Sequence, residues 1–214
     1  SEEGGWIKMD QYRQLCEKWR KEFLKMDVEA AARKLPGILL SDQEVTLNYF
    51  TQPHTISRTT GEIKNRKTGE WVKDFRNLMI LYHLLYYSKE EPALSGEWVP
   101  FRQLKTAGIF DGAYRKMVLE PLAEAFSGKV KSLEKAADTL GFKRERFGDI
   151  SVEIPVFDCL SLILIFWDGD EEYPAQANLL FDKNITDFTH PETVVLIAEE
   201  AAARMIQAAG EKQD

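Results

Sequence analysis

Cysteine, histidine and long apolar runs are all scarce in this sequence, and each scarcity argues against a class of protein. Two cysteines occur in 214 residues, Cys16 and Cys159. They form no CxxC pair and stand far apart, which argues against a zinc or iron–sulfur centre of standard spacing. It also leaves no disulfide framework. A single Cys16–Cys159 bridge stays open, but reduced, buried thiols in a cytoplasmic chain are the expected state. The three histidines, His54, His83 and His190, show no helical ligand spacing. The longest apolar run, Leu160 to Trp167, lies between Asp158 and Asp168. It is far short of the roughly 20 residues that a membrane helix needs. The acidic start Ser1-Glu-Glu-Gly-Gly has neither the basic head nor the apolar stretch of a signal peptide.

Motifs with fixed physical requirements are missing too. There is no glycine-rich phosphate loop of the Walker or dinucleotide type, and no serine in a GxSxG elbow. A nucleophile and base assembled from distant residues remain open, because such pairs meet only in space. The formal net charge of −7 works against nucleic acid or an anionic membrane as partner.

What is present is an ordinary globular composition, 44% hydrophobic and 29% charged, which is enough to bury a full core. Met9, Tyr12, Cys16, Trp19, Phe23 and Met26 recur at helical spacing and predict an amphipathic first helix docked on the chain's own core. The same stripe could instead bind a partner. Asp27 caps a short helix over 28–35, which Pro36-Gly37 stops. Val45 to Thr51 alternates as a strand that Pro53 is expected to break. Thr55 to Ser57 and Glu62 to Lys64 read as hairpin strands, turning at Thr60-Gly61, and Lys67-Thr68-Gly69 is a further turn.

Asp74 begins a helix to Tyr87 that is apolar on all sides, the pattern of a central buried helix. Glu97 to Phe101 is a brief strand. A helix over 111–126 is expected to kink or break near Pro121. Another runs from Lys129 to Leu140 and ends at Gly141. Ile150 to Phe157, Leu160 to Trp167 and Gln176 to Phe181 are consecutive strands, expected as an antiparallel meander. Pro191 opens a last helix that packs through Val194, Val195, Ala198, Ala201, Ala202 and Met205. Helices lead, strands cluster late and a helix closes. The fold class is α+β, one domain over 1–214, with 6–35 as a docked helical extension and 210–214 as a frayed tail.

The most unusual segment is Trp167-Asp168-Gly169-Asp170-Glu171-Glu172-Tyr173-Pro174. Four carboxylates crowd between two apolar strands, and Asp182 could fold back beside them. Carboxylates this close repel, so water, a Lys or Arg, or a hard cation must compensate. Asp168, Asp170 and Glu172 have the one-three-five spacing of a calcium loop. The match then fails, because Tyr173 stands at the glycine position and Leu179 at the bidentate Glu. The candidate metal ligands are Asp168, Asp170, Glu172 and Asp182. The plainer reading is a solvated turn whose charge blocks strand aggregation.

Elsewhere the plainer readings are favoured. His83 is expected to be buried with one hydrogen bond, and Cys159 to be core. Arg58, Lys64, Arg66, Lys67 and Lys73 beside Trp71 form one basic stretch. Lys143, Arg144 and Arg146 near Phe142 and Phe147 form another. Both are expected as solvated surface, not as nucleic-acid grooves.

Several segments recur together in one order. They are Leu81-Tyr82-His83-Leu84-Leu85-Tyr86, Gly96-Glu97-Trp98-Val99-Pro100-Phe101-Arg102-Gln103-Leu104, Pro121-Leu122-Ala123, Leu140-Gly141 and Gly148-Asp149. Pro155-Val156, Trp167 to Ala175 and Leu180-Phe181-Asp182 follow. Over about residues 20 to 205 the chain resembles the uncharacterised prokaryotic family known as domain of unknown function 3786. The resemblance implies an anaerobic host and a corrinoid or one-carbon setting. Some members carry an iron–sulfur domain, for which this chain lacks the cysteines. The resemblance also raises interest in Gly169, Asp170, Glu172, Pro174 and Asp182.

The expectation is therefore a non-catalytic binding or accessory domain for a cofactor, metal or protein partner, with a divalent cation or corrinoid as candidate ligand. The acidic loop and the aromatic helix Phe75 to Tyr87 would supply its surface. Two alternatives stand beside it. One is an enzyme using Asp170, Glu172 or Asp182 as general acid–base or Mg2+ ligands. The other is an oligomerisation domain held by the first helix.

Overall fold

A computed structural model describes residues 2–105 and 107–211. The chain begins with α1 (Glu2–Leu24) and α2 (Val28–Lys34). The Asp27 carboxylate caps α2 by accepting the Ala30 N–H, a contact worth about 1 kcal/mol. A four-stranded antiparallel sheet follows, β1 (Leu39–Leu40), β2 (Glu44–Tyr49), β3 (Gln52–Ser57) and β4 (Ile63–Asn65), in that order. Val45, Leu47 and Tyr49 face its core, as their alternation predicts.

Pro53 does not break the sheet. It lies within β3 opposite Asn48, where its carbonyl accepts the Arg66 N–H. The reversal happens earlier, at Phe50-Thr51, a two-residue loop in which both residues have positive φ, 46° and 69°. Such a turn matches strand twist but strains a β-branched residue. Packing holds it: Phe50 is buried, its N–H donates to Val156 O, and the Arg204 guanidinium lies 4.3 Å from its ring centre.

Asp74 caps α3 (Phe75–Tyr87) by accepting the Asn77 N–H. Leu78 to Tyr82, Leu84 and Leu85 are buried, whereas Tyr86 and Tyr87 emerge at the surface. Beyond β5 (Trp98–Pro100) the chain makes two 3-10 turns and enters α4 (Asp111–Tyr114), which runs without a break into α5 (Glu120–Phe126). The expected kink at Pro121 takes the form of a π-helical turn over Arg115–Leu119. Proline lacks the N–H that closes an α-turn, and the wider turn just before it absorbs the irregularity.

α6 (Val130–Leu140) ends at Gly141, in the left-handed conformation with φ 72°. A second antiparallel sheet contains β6 (Lys143–Glu145), β7 (Ile150–Phe157), β8 (Leu160–Trp167) and β9 (Gln176–Asp182), in the order β5-β9-β8-β7-β6. The late strands form the expected meander, and the fold is α+β. β6 escapes the sequence reading because its residues are charged; Lys143 and Arg144 lie on an edge strand and not in a loop, and charge suits an edge.

α7 (Pro191–Gly210) closes the described chain, and the tail residues 212–214 lie outside the described residues. Buried Glu200 on α7 accepts from Arg76 at 2.7 Å, Arg204 at 3.0 Å and Asn77 at 3.2 Å. This ionic knot fastens α3 to α7 and leaves no buried charge unpaired there. Cys16 and Cys159 are both free thiols.

α1 lies along α3 through Trp19 and Phe23, which are buried, and through half-buried Cys16. The outer part of the predicted stripe does not reach the core: Met9 is 50% exposed and Tyr12 38%.

Candidate functional site

The acidic segment is a turn organised by its own backbone. Asp168 Oδ1 accepts the Gly128 and Gly169 N–H groups, both at 2.8 Å. Asp170 Oδ1 accepts those of Glu172 and Tyr173, also at 2.8 Å, while the Asp170 N–H donates to Tyr173 O. The Tyr173 and Glu172 N–H groups hold the Asp170 carboxyl below its ordinary range. Gly169 is needed because a Cβ there would stand 2.9 Å from Ala175 N. Glu171, Glu172, Tyr173 and Pro174 are exposed, and Trp167 is 40% exposed.

Asp182 does not join this segment. β8 and β9 are paired from Trp167↔Gln176 at one end to Leu162↔Phe181 near the other. Asp182 therefore sits about 20 Å along β9 from the acidic turn, at ~3.3 Å per residue. There it is buried, and it accepts the N–H groups of Ser95, Gly96 and Asn184 and the Ser95 hydroxyl at 2.8–3.0 Å. Asp168, Asp170, Glu172 and Asp182 thus do not converge as one ligand set. Among the described residues, no three His, Cys, Asp or Glu side chains are grouped so as to hold a metal ion.

These contacts join several of the segments that carry the family resemblance. Gly96 and Asp182 meet directly. Asp149 Oδ2 accepts the Asp168 N–H at 2.7 Å, and the Asp149 N–H donates to Phe166 O. At Gly148, with φ 59°, a Cβ would stand only 2.8 Å from Phe166 O, so the chain can pass there only without a side chain.

His83 Nδ1 lies 2.7 Å from Thr193 Oγ1, and its ring sits edge-on to Trp19 and Tyr87. Burial, then the nearby His190, pushes its pKa down to about 4. Its Nε2 is buried without a hydrogen-bond partner among the described residues. The basic stretches are largely engaged at the surface: Arg58 pairs with Glu29, Arg66 with Glu44, and Arg144 with Glu134 and Asp138. Lys64 lies 5.1 Å from the Trp71 ring centre.

A groove that no single sequence segment announces lies between α1, α3 and the β4 hairpin. It has a volume of about 600 Å3, within the usual range for small-molecule sites. Ile63, Leu78 and Tyr82 form its buried floor, and the Tyr82 hydroxyl donates to Gly61 O. Tyr12, Trp71 and Phe75 form aromatic walls, with the Tyr12 and Phe75 ring centres 4.6 Å apart. Arg20 is held by Glu17 and by Thr60 O. Arg13 and Lys73 stand at the rim with no ion pair among the described residues. Glu62 shares the rim with them. The Cys16 thiol on the wall is pushed up, first by burial and then by the Asp74 charge.

Antiparallel sheets with packed helices define an α+β domain, and no described helix is long and apolar enough to cross a membrane. The family model described as Domain of unknown function (DUF3786) matches residues 27–204, so the chain belongs to that family. α1 precedes the matched segment, which means that the family's own segment builds the floor of the groove but not its α1 wall. Comparison with curated proteins and with solved structures finds no match.

Proposed function

We propose that this chain is a non-catalytic binding domain that holds a ring-bearing, anionic small molecule in the groove between α1 and α3. The observation that carries the reading is the pairing of aromatic walls with two cations, Arg13 and Lys73, that make no ion pair among the described residues. Aromatic rings at Tyr12, Trp71 and Phe75 suit a flat apolar body, and unpaired cations suit its charge. Of the three carboxylates that an enzyme reading would use, Asp182 is engaged by four donors and Asp170 by two, while Glu172 stands exposed on the turn and lines no described cleft. Corrinoids belong among the ligands to be tried, in keeping with an anaerobic one-carbon setting.

The test is the melting temperature of the chain, measured anaerobically with cobalamin, flavin mononucleotide and a set of nucleotides. A ligand at 100 times its dissociation constant adds about 2.7 kcal/mol. For a chain of this size that is a rise of roughly 5–10 °C. The rise is expected to vanish in Trp71→Ala and in the double variant Arg13→Glu/Lys73→Glu. No rise with any of these molecules, or a rise that survives both variants, overturns the reading.

A further inference from the structure

A second cleft, of about 390 Å3, opens between β9 and the helical stretch that runs from α4 through the π-helical turn into α5. Ring contacts fix how its two walls run. The Tyr114 and Phe181 ring centres are 6.2 Å apart, and those of Phe126 and Phe166 are 6.5 Å apart. Phe166 pairs with Ala177, so the helical stretch runs antiparallel to β9. Arg115 therefore stands at the end that Arg102 enters from β5, and Ala123 at the end that Trp167 closes. Glu120 lies between them, about 7.5 Å beyond Arg115 along the helix axis.

β9 contributes backbone groups at one residue. The Lys183 N–H donates to Glu97 O, so alternate residues counted from Lys183 turn their N–H and C=O toward the β5 side. β5 pairs no further than Pro100↔Leu180, and Leu179 is buried with its N–H met by Asn178 Oδ1. That leaves half-buried Ala177 to present its N–H and C=O to the cleft. Two charged side chains there make no ion pair among the described residues, and they are of opposite sign: Arg102 and Glu120. Arg115 pairs with Asp111 at 3.0 Å. A simple anion would satisfy Arg102 and be repelled by Glu120, whereas a zwitterion satisfies both. The Trp167 ring, 40% exposed, offers a stacking face at the far end, with Leu119 and Ala123 along the helical wall. The acidic turn starts just beyond Trp167, so a group stacked there must carry no negative charge.

We propose that this cleft binds a free α-amino acid with an aromatic side chain. The carboxylate lies on Arg102 and the Ala177 N–H, the ammonium group on Glu120 and the Ala177 carbonyl, and the ring against Trp167. Contacts to charged groups of this kind are stronger than neutral hydrogen bonds, and the stacked ring adds apolar area. The net charge of −7 disfavours an anionic ligand at long range but not one of zero net charge. The cleft shares no lining residue with the groove between α1 and α3, so the proposal stands apart from the function assigned to that groove.

The test titrates the whole chain with L-phenylalanine and follows the Ala177 amide and the Trp167 indole in nitrogen-15 spectra. Both should shift in a saturable way. 3-Phenylpropanoate, which lacks the ammonium group, and phenethylamine, which lacks the carboxylate, should each bind about tenfold more weakly or worse, the cost of one lost contact to a charged group. Arg102→Gln should weaken phenylalanine by a similar factor and leave phenethylamine unchanged. Glu120→Gln should weaken phenylalanine likewise and leave 3-phenylpropanoate unchanged. Both side chains are exposed, so both variants should keep the parent melting temperature. Trp71→Ala, in the separate groove, should bind phenylalanine as the parent does. No saturable shift at millimolar phenylalanine overturns the proposal. So does an analogue that binds as tightly as phenylalanine, or an affinity that neither Arg102→Gln nor Glu120→Gln alters. A loss confined to Trp71→Ala would place the amino acid in the groove between α1 and α3 and overturn it too.

Discussion

The Asp182 carboxylate accepts the backbone N–H of Gly96 at 2.9 Å, joining two positions 86 residues apart. With Ser95 and Asn184 it satisfies three backbone donors beside the end of β9. The residue that the sequence offers as a metal ligand is thus the clamp that seats β5 on the sheet.

Asp182→Ala should cost about 3 kcal/mol, because several donors lose a charged acceptor in a buried place. Urea unfolding measures it. A change below about 1 kcal/mol, the worth of an ordinary hydrogen bond, would show that water replaces the carboxylate without loss.

His83 makes stability depend on pH. With its pKa lowered to about 4, the folded chain keeps the ring neutral, while the unfolded chain takes up a proton below the ordinary value of 6.5. The contribution is complete above pH 6.5 and is lost as pH falls toward 4. The groups facing the ring are Thr193, Trp19, Tyr87 and His190. Allowing for its partial exposure, the loss should be on the order of 2 kcal/mol. In His83→Gln the difference from the parent should disappear across this window. Urea midpoints at pH 7 and pH 4.5 give the comparison, and parallel declines in the two proteins would count against it.

Two glycines with left-handed backbones should respond differently to alanine. At Gly148 a Cβ would meet Ile165 Cγ2 and Phe166 O at 2.8 Å, whereas at Gly69, φ 78°, it meets open space. Gly69→Ala should cost about 1 kcal/mol from backbone strain alone. Gly148→Ala should cost more, roughly 3 kcal/mol, because overpacking adds to that strain. Thermal unfolding of the two variants side by side decides it.

Much of this fold is legible in the sequence wherever a local pattern suffices. Asp74 opening α3, Gly141 closing α6 and the alternation of β7 are each written within a few residues. Pro53 misleads because proline's missing N–H matters only where a ladder bond is required, and its place beyond the paired part of β4 requires none. β6 is hidden because its charges resemble a loop. The groove is not legible at all. Tyr12, Ile63, Trp71 and Tyr82 belong to four segments, and only the docking of α1 on α3 brings them together. The acidic turn is legible as a cluster but not as a site, since sequence shows four carboxylates without showing that the backbone consumes two of them.

Calcium or magnesium should therefore bind the chain no better than an exposed acidic surface does. Titration calorimetry is expected to give no saturable heat, with Asp170→Asn indistinguishable from the parent. A stoichiometric signal abolished by that substitution would restore the metal reading.

The groove between α1 and α3 is a seam between the family's segment and a helix that precedes it. Its floor is committed to packing, so a change at Leu78 or Tyr82 disturbs the core. Its other wall faces solvent on one side and carries no strand. Selectivity and stability are thereby assigned to different stretches of chain. Editing the rim positions Tyr12 and Arg13 could retune the proposed ligand while the sheets stay as they are, much as a lens is exchanged on a fixed mount.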